Sequence, residues 1–344
     1  MEKVAILGAG TWGTALANLL ARSGHEVALW SKFEEEINVL KSTHLHKNLP
    51  GSVISKAIAF FADMKEACEG KSIVVFATPS VYIRQTAEKA KPFLKSNQII
   101  VNVAKGIEPK SLLTMSEILE DVLGKDFNYV SLSGPTHAEE VAIGLPTLIV
   151  SACQNPKIAQ IIQDTFSNQT MRVYTNPDVR GVELSGALKN IIALAGGMSD
   201  GLGYGDNAKA AIITRGLVEI TELGRAMGCH EKTFFGLAGI GDIVVTATSI
   251  HSRNHKAGYL LGQGRSLEDV LKEVGQVVEG LYALEAAKEL EVKYNVELPI
   301  IDVVYEVVHD HLPVSKAIQK LFSRKKKDEI NDPIFTEDDA MKEN

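Results

Sequence analysis

In the first half of the chain, short runs rich in β-branched and aromatic residues alternate with stretches of helical period. Val4–Leu7, Glu26–Trp30, Val53–Phe60, Ile73–Thr78, Ile99–Ala104, Val130–Ser133, Leu148–Ala152 and Arg172–Thr175 read as strands. Several are apolar without alternation, the pattern of strands covered on both faces. Helical stretches between most of them predict right-handed crossovers and a doubly wound, mostly parallel α/β sheet. After Asn176-Pro177-Asp178 the pattern changes. Helical periodicity dominates over 178–197, 206–228, 239–247, 254–262, 266–273, 279–293, 299–308 and 315–323. The tripeptide reads as a helix start, with Asn176 as cap, Pro177 at the first helical position and Asp178 in the first turn. The expected organisation is an α/β domain over 1–176 and an all-α domain over 177–323. A polar, frayed tail is expected over 324–344, opened by the basic run Arg324–Lys327.

Composition narrows the function. The 344 residues include 36 Lys plus Arg against 43 Asp plus Glu, a formal net charge of −7. That balance argues against nucleic acid as a partner, so any anion must be held by a local set of donors. Cys68, Cys153 and Cys229 are far apart and form no CxxC, which argues against a metal site or disulfide framework and fits a reducing cytoplasm. The N-terminus lacks a secretory layout, and no run of about 18 uncharged apolar residues suggests an integral membrane span.

The strand Val4–Leu7 runs directly into Gly8-Ala9-Gly10-Thr11-Trp12-Gly13 and then a helical stretch from Thr14. This is GxGxxG in its strand–turn–helix context. Gly8 suits the tight turn, Gly10 lets backbone approach a pyrophosphate, and Gly13 lets helix and strand pack closely. The helix N-terminus offers N–H groups and a positive dipole end to phosphates. The first domain is therefore read as a Rossmann-type NAD(P)-binding domain. An acid at the end of the second strand would bond the ribose of NAD. Ser31 and Lys32 stand there instead, and both can donate to a 2′-phosphate, which points to NADP(H). The alternative is that Lys32 is simply exposed and Glu34 or Glu35 folds back onto the ribose, as NAD(H) requires.

Ligands of such sheets lie beyond the carboxyl ends of the strands. Lys105 follows an apolar strand there. Ser133-Gly134-Pro135-Thr136 follows another and either makes a turn or leads into a helix N-terminus over His137–Ala142. In the second half, the helix after Pro177 is apolar or small on nearly all sides and therefore buried, yet it carries Lys189 and Asn190. Gly186 and Ala193 leave room for a ligand beside Lys189. A desolvated lysine loses its proton more easily, which suits acid–base work; the alternative is a lysine that snorkels out or pairs with a carboxylate. Asp242, in the Gly-rich run Gly236–Asp242, is either a helix cap or a carboxylate orienting Lys189. His251-Ser252-Arg253-Asn254-His255-Lys256 gathers donors suited to a small dianion, or is a solvated basic turn.

GAGTWGTALA (8–17), AKGIE (104–108), LSGPTHAEEV (132–141), ELSGALKNIIALAGGMSDGLGYGDNAKAAIITRG (183–216), GLAGIGDIVVTATSIHSRNHKAG (236–258) and VVEG (277–280) closely resemble the bacterial NAD(P)+-dependent glycerol-3-phosphate dehydrogenase family, over about residues 1 to 323. The resemblance implies reversible reduction of dihydroxyacetone phosphate to sn-glycerol 3-phosphate, supplying glycerophospholipid synthesis, and it admits a homodimer. It implies Lys189 as the catalytic lysine and Lys105 as shared between cofactor and substrate. It further implies Gly134, Thr136, Asp242, Ser252, Arg253 and Asn254 as substrate ligands. Thr11, Trp12, Lys32, Ala138, Arg253, Val277 and Glu279 are implied as cofactor contacts. Asn190 would hold the Lys189 helix and ligand in register. The competing readings are a cofactor-sensing module without chemistry, which predicts a damaged second half, and a related dehydrogenase of another small phosphorylated or hydroxy-acid substrate.

Overall fold

The computed structural model describes residues 1–326 and Glu329. The tail expected over 324–344 therefore falls mostly outside the described residues. Strands and helices alternate through the first half: β1 (Lys3–Leu7), α1 (Thr11–Arg22), β2 (Glu26–Trp30), α2 (Glu34–Thr43), β3 (Ala59–Phe61), α3 (Met64–Cys68), β4 (Ile73–Phe76), α4 (Ile83–Ala90), β5 (Ile99–Asn102), α5 (Met115–Leu123), β6 (Asn128–Ser133), α6 (Ala138–Ala142), β7 (Thr147–Ala152), α7 (Pro156–Phe166) and β8 (Met171–Asn176). The eight strands form one sheet in the order β3-β2-β1-β4-β5-β6-β7-β8. Every pairing is parallel except β6 with β7. Alternate residues of β1, β4 and β5 feed two separate apolar cores: Val4, Ile6, Val75 and Val101 on one face, Ala5, Leu7, Phe76 and Ile100 on the other. A sheet covered on both faces explains why these strands are apolar without alternation.

One predicted strand is corrected. Val53–Phe60 reads as a single strand, but only Ala59–Phe61 pairs with β2. The preceding residues are tied to α1 instead: Asn18 donates to the Val53 carbonyl (3.2 Å) and accepts from the Ser55 N–H (2.8 Å). Those bonds take backbone groups that a longer strand would offer to β2.

The second half is helical throughout: α8 (Val179–Gly201), α9 (Asp206–Ala226), α10 (Glu231–Phe234), a single π-type turn at Leu237–Gly241, α11 (Asp242–Thr248), α12 (Arg253–Gly262), α13 (Leu267–Val274), α14 (Glu279–Tyr294), α15 (Pro299–His309) and α16 (Val314–Phe322). The start of α8 differs from the reading above. Asp178, not Asn176, is the cap, accepting from the Gly181 N–H (3.0 Å). Its second oxygen accepts from the His230 N–H (2.9 Å) and the Thr233 hydroxyl (2.8 Å), so one carboxylate fixes the starts of both α8 and α10. Asn176 ends β8 and accepts from the Asp178 N–H. Helix α8 is the axis of this half. From Gly181 to Ser199 every residue is buried, and α9, α11, α12 and α14 pack around it. Among the described residues, no single helix is long and apolar enough to cross a membrane.

Candidate active site

The connections on the two sides of β1 leave in opposite directions, one to β2 and one returning to β4. This is the switch point at which such sheets bind ligands. The glycine turn lies there. Gly8 has φ +130°, and a Cβ on it would stand 2.7 Å from the Ala77 carbonyl oxygen. A Cβ on Gly13 would stand 1.9 Å from the Gly8 carbonyl oxygen, so α1 can approach β1 only with glycine at that position. Gly10, the N-terminal cap of α1, has no side-chain partner and nothing within 4 Å of its absent Cβ. The crevice above α1 is thus open and faces N–H groups, as a pyrophosphate requires. Thr11 and Trp12 flank it, half-buried.

The end of β2 carries two expected donors with different fates. Ser31 is buried, and its hydroxyl donates to the Glu36 carboxylate (2.5 Å), so it is not a free phosphate donor. The acid bonded at this strand end is Glu36. Lys32 remains exposed, its ammonium 4.8 Å from the Phe33 ring centroid and 5.1 Å from that of Tyr82.

The chemistry concentrates where the sheet meets α8. Lys189 is 6% exposed and Asp242 is fully buried. Lys189 donates to Asp242 Oδ1 (2.5 Å) and to the Thr246 hydroxyl (2.6 Å). Lys105, arriving from the end of β5, donates to Asp242 Oδ2 (2.6 Å) and to the Gly134 carbonyl (2.8 Å). The space that Gly186 leaves beside Lys189 holds the Lys105 stem: a Cβ there would lie 3.5 Å from Lys105 Cγ. One carboxylate thus faces two ammoniums. Those two charges hold Asp242 below the usual carboxylate range, against its burial. The cluster has one positive charge in excess, so one proton is loosely held. It is held on Lys189, where burial and the Lys105 charge outweigh the attraction of Asp242 and lower the pKa to about 7.

Around this cluster, Thr136 donates to the Gly134 carbonyl (3.1 Å), and Ala138 opens α6. Ser252 caps α12, accepting from the His255 N–H (3.1 Å), while Arg253 stands exposed at the first position of that helix. Asn254 donates to Asn190 (2.9 Å) and accepts from the Gly280 N–H (2.9 Å). That bridge ties α8, α12 and α14 together and gives Asn190 a partner. Glu279 crosses to the sheet domain, accepting from the Ser80 N–H (3.1 Å) and hydroxyl, with the half-buried Val277 just before it. Arg253 is close enough to pull Glu279 down, although burial keeps its carboxyl raised overall.

Sequence places Ser80 at a strand end beside the expected crevice, but it misses Thr246 and the partner of Ser80. Thr246 lies one turn after Asp242 on α11, a spacing that puts both on one face. Ser80 follows β4 and meets Glu279 across 199 positions of sequence; nothing local signals that contact.

A Rossmann sheet with an open glycine turn, joined to a helical domain that presents a buried, easily deprotonated lysine, defines an NAD(P)-dependent oxidoreductase. Family models agree and narrow the class. The NAD-dependent glycerol-3-phosphate dehydrogenase N-terminus matches residues 3–159, and the C-terminus of the same family matches residues 178–319. The chain belongs to the NAD-dependent glycerol-3-phosphate dehydrogenase family. It is 54% identical over 335 residues to an NAD(P)+ glycerol-3-phosphate dehydrogenase of Lactobacillus delbrueckii subsp. bulgaricus, covering 96% of this chain and 99% of that one. It is 48% identical over 345 residues to the Bacillus subtilis enzyme, covering 99% and 100%. The crystal structure of glycerol-3-phosphate dehydrogenase from Coxiella burnetii matches with a TM-score of 0.90 and 36% identity, covering 94% of this chain and 99% of that one.

Proposed function

We propose that this chain is a glycerol-3-phosphate dehydrogenase that interconverts dihydroxyacetone phosphate and sn-glycerol 3-phosphate with NAD(P)(H), supplying glycerophospholipid synthesis. The observation that carries the mechanism is the Lys189–Asp242–Lys105 cluster beside the glycine turn. A nicotinamide cofactor held at the glycine turn would, in its reduced form, supply the hydride that the ketone carbon takes up. Lys189 gives its loosely held proton to the carbonyl oxygen, and takes one back in the oxidative direction. Lys105 offsets negative charge growing on that oxygen, and Asp242 aims both ammoniums. Arg253, with Ser252, Asn254, Thr136 and the Gly134 backbone, is assigned to the phosphate end, so that binding remote from the ketone orients it. Gly8, Gly10, Thr11, Trp12, Gly13, Lys32, Ala138, Val277 and Glu279 are assigned to the cofactor. Asn190 is assigned to keeping α8 in register. Oxidation of NADPH at 340 nm, dependent on dihydroxyacetone phosphate, tests the reading; absence of turnover with either NADPH or NADH removes it. The intact cluster argues against a sensing module without chemistry.

Arg253→Ala is expected to raise KM for dihydroxyacetone phosphate about 10- to 100-fold, the size of a lost charged hydrogen bond, and to leave kcat far less affected. An unchanged KM would take Arg253 out of the phosphate site.

For the cofactor we propose NADP(H) as the preferred form, read by Lys32, an exposed cation at the end of β2. Glu36, bonded to Ser31 at the same strand end, leaves NAD(H) usable. Lys32→Glu is expected to lower the NADPH-to-NADH ratio of kcat/KM about tenfold or more. An unchanged ratio would remove Lys32 from cofactor choice. Three unpaired cysteines are consistent with the proposed reducing cytoplasm. The assembly proposed is a homodimer, supported by Phe322, exposed at the end of α16 beside an apolar hollow against α9 and α15.

A further inference from the structure

Glu183 lies on α8, less than two turns before Lys189. It is buried, and its carboxylate leaves the helical domain to enter the sheet domain. It accepts from Asn102 Nδ2 (3.2 Å) at the end of β5. It also accepts from the Ser116 N–H (3.1 Å to each oxygen) and hydroxyl (2.7 Å) in the first turn of α5. Asn102 in turn grips the residue before Lys105: its Oδ1 accepts from the Ala104 N–H (3.0 Å), and its Nδ2 donates to the Ala104 carbonyl (2.9 Å). Lys105 then passes Gly186 of α8 to reach Asp242, whose other oxygen holds Lys189. The contacts close a ring that starts and ends on α8. One side of it is the pair of catalytic-site lysines; the opposite side is Glu183 with Asn102.

We propose that Glu183, acting through Asn102, is a positioning residue that fixes Lys105 against Lys189. This inference rests on the glycerol-3-phosphate dehydrogenase reading above. A carboxylate suits the position because every group facing it is an N–H or O–H donor. A glutamine would turn an NH2 toward one of them and leave two donors opposed. Burial of a carboxyl at this seam is costly unless it is fully bonded, and bonding it forces strand end and helix into one relative placement. A displacement of about 1 Å between reacting groups is enough to cost about 100-fold in rate.

The test compares the unmodified protein with Glu183→Gln and Asn102→Ala, each verified as folded by circular dichroism. Both variants are expected to lose kcat for dihydroxyacetone phosphate reduction by about 10- to 100-fold with KM for NADPH unchanged. Both should also move the falling limb of the reductive pH profile to higher pH. The second effect separates positioning from stability: Lys105 lowers the proton affinity of Lys189, so moving it away raises that affinity. Titration of Lys189 by 13C-lysine NMR reads the same shift without turnover. An unchanged titration in a folded variant overturns the proposal, even if kcat or the melting temperature falls. If Glu183→Gln does not fold, Asn102→Ala decides alone, since there the carboxylate keeps its Ser116 bonds. An unmodified protein without turnover would instead strike the functional reading, and the NMR titration would still decide whether Glu183 governs Lys189.

Discussion

Lys189→Ala is expected to lower kcat for dihydroxyacetone phosphate reduction by about 10³-fold, within the range of a lost general acid, with little change in KM for the substrate. The effect falls on kcat because the proton is needed when charge grows on the carbonyl oxygen, not when the substrate binds. The substitution is tolerable to the fold for a reason visible in the cluster. Removing one of two ammoniums leaves Asp242 paired with Lys105, a balanced ion pair instead of a cluster with excess charge. The pH dependence gives a second reading. With the Lys189 pKa lowered to about 7, ketone reduction needs the protonated form, so reductive kcat/KM falls as pH rises through neutrality. Glycerol 3-phosphate oxidation needs the neutral amine, so its kcat/KM rises over the same interval. The two limbs should share one midpoint, and both should vanish in Lys189→Ala. A variant with near-normal kcat, or one that keeps both limbs, would end the acid–base role of Lys189.

How much of this site could be read from sequence depends on how local each signal is. The glycine turn is legible because strand, turn and helix are contiguous and each glycine has its own steric demand. Lys189 is legible because a charge in a run of small and apolar helical positions is out of place. Its partner is not: Asp242 lies 53 positions away, and sequence leaves it equally a helix cap or a counter-ion. Only the packing of α11 on α8 decides between those. Lys105 meets Asp242 across 137 positions, so the sharing of one carboxylate by two lysines has no trace in either motif. The strand misread at Val53 fails for a related reason. Its β-branched residues have the right propensity, but the Asn18 amide on α1 claims the backbone first. The position of Ser31 at a strand end suggests a phosphate donor. Glu36, in the first turn of the next helix, takes its hydroxyl.

Asp242→Asn is the substitution expected to damage both stability and rate. The change is nearly isosteric, so packing is kept and the charge alone is lost. The buried Lys189 ammonium and the half-buried Lys105 ammonium then face each other across an amide. Removing one partner of a buried ion pair costs about 3–5 kcal/mol, and here two cations lose the same counter-ion. The variant can relieve part of that cost by releasing the Lys189 proton, which predicts a signature in pH. The lysine pKa in the folded variant drops further below its unfolded value of 10.5. Between those two values the unfolded chain binds more protons than the folded one, so the variant's stability rises with pH. The unmodified protein, with Lys189 at about 7, rises in the same way only above that value, so the difference between the two shrinks as pH climbs to about 7 and is constant beyond it. Urea unfolding should therefore show a loss of about 3–5 kcal/mol near pH 6 that shrinks by pH 9. The same proton release removes the general acid at neutral pH. Reductive kcat should fall about 100-fold or more, with its falling limb displaced to lower pH. A loss of stability that is the same at both pH values, with the limb unmoved, would mean that Asp242 is not the counter-ion of Lys189 and that its role is to cap α11.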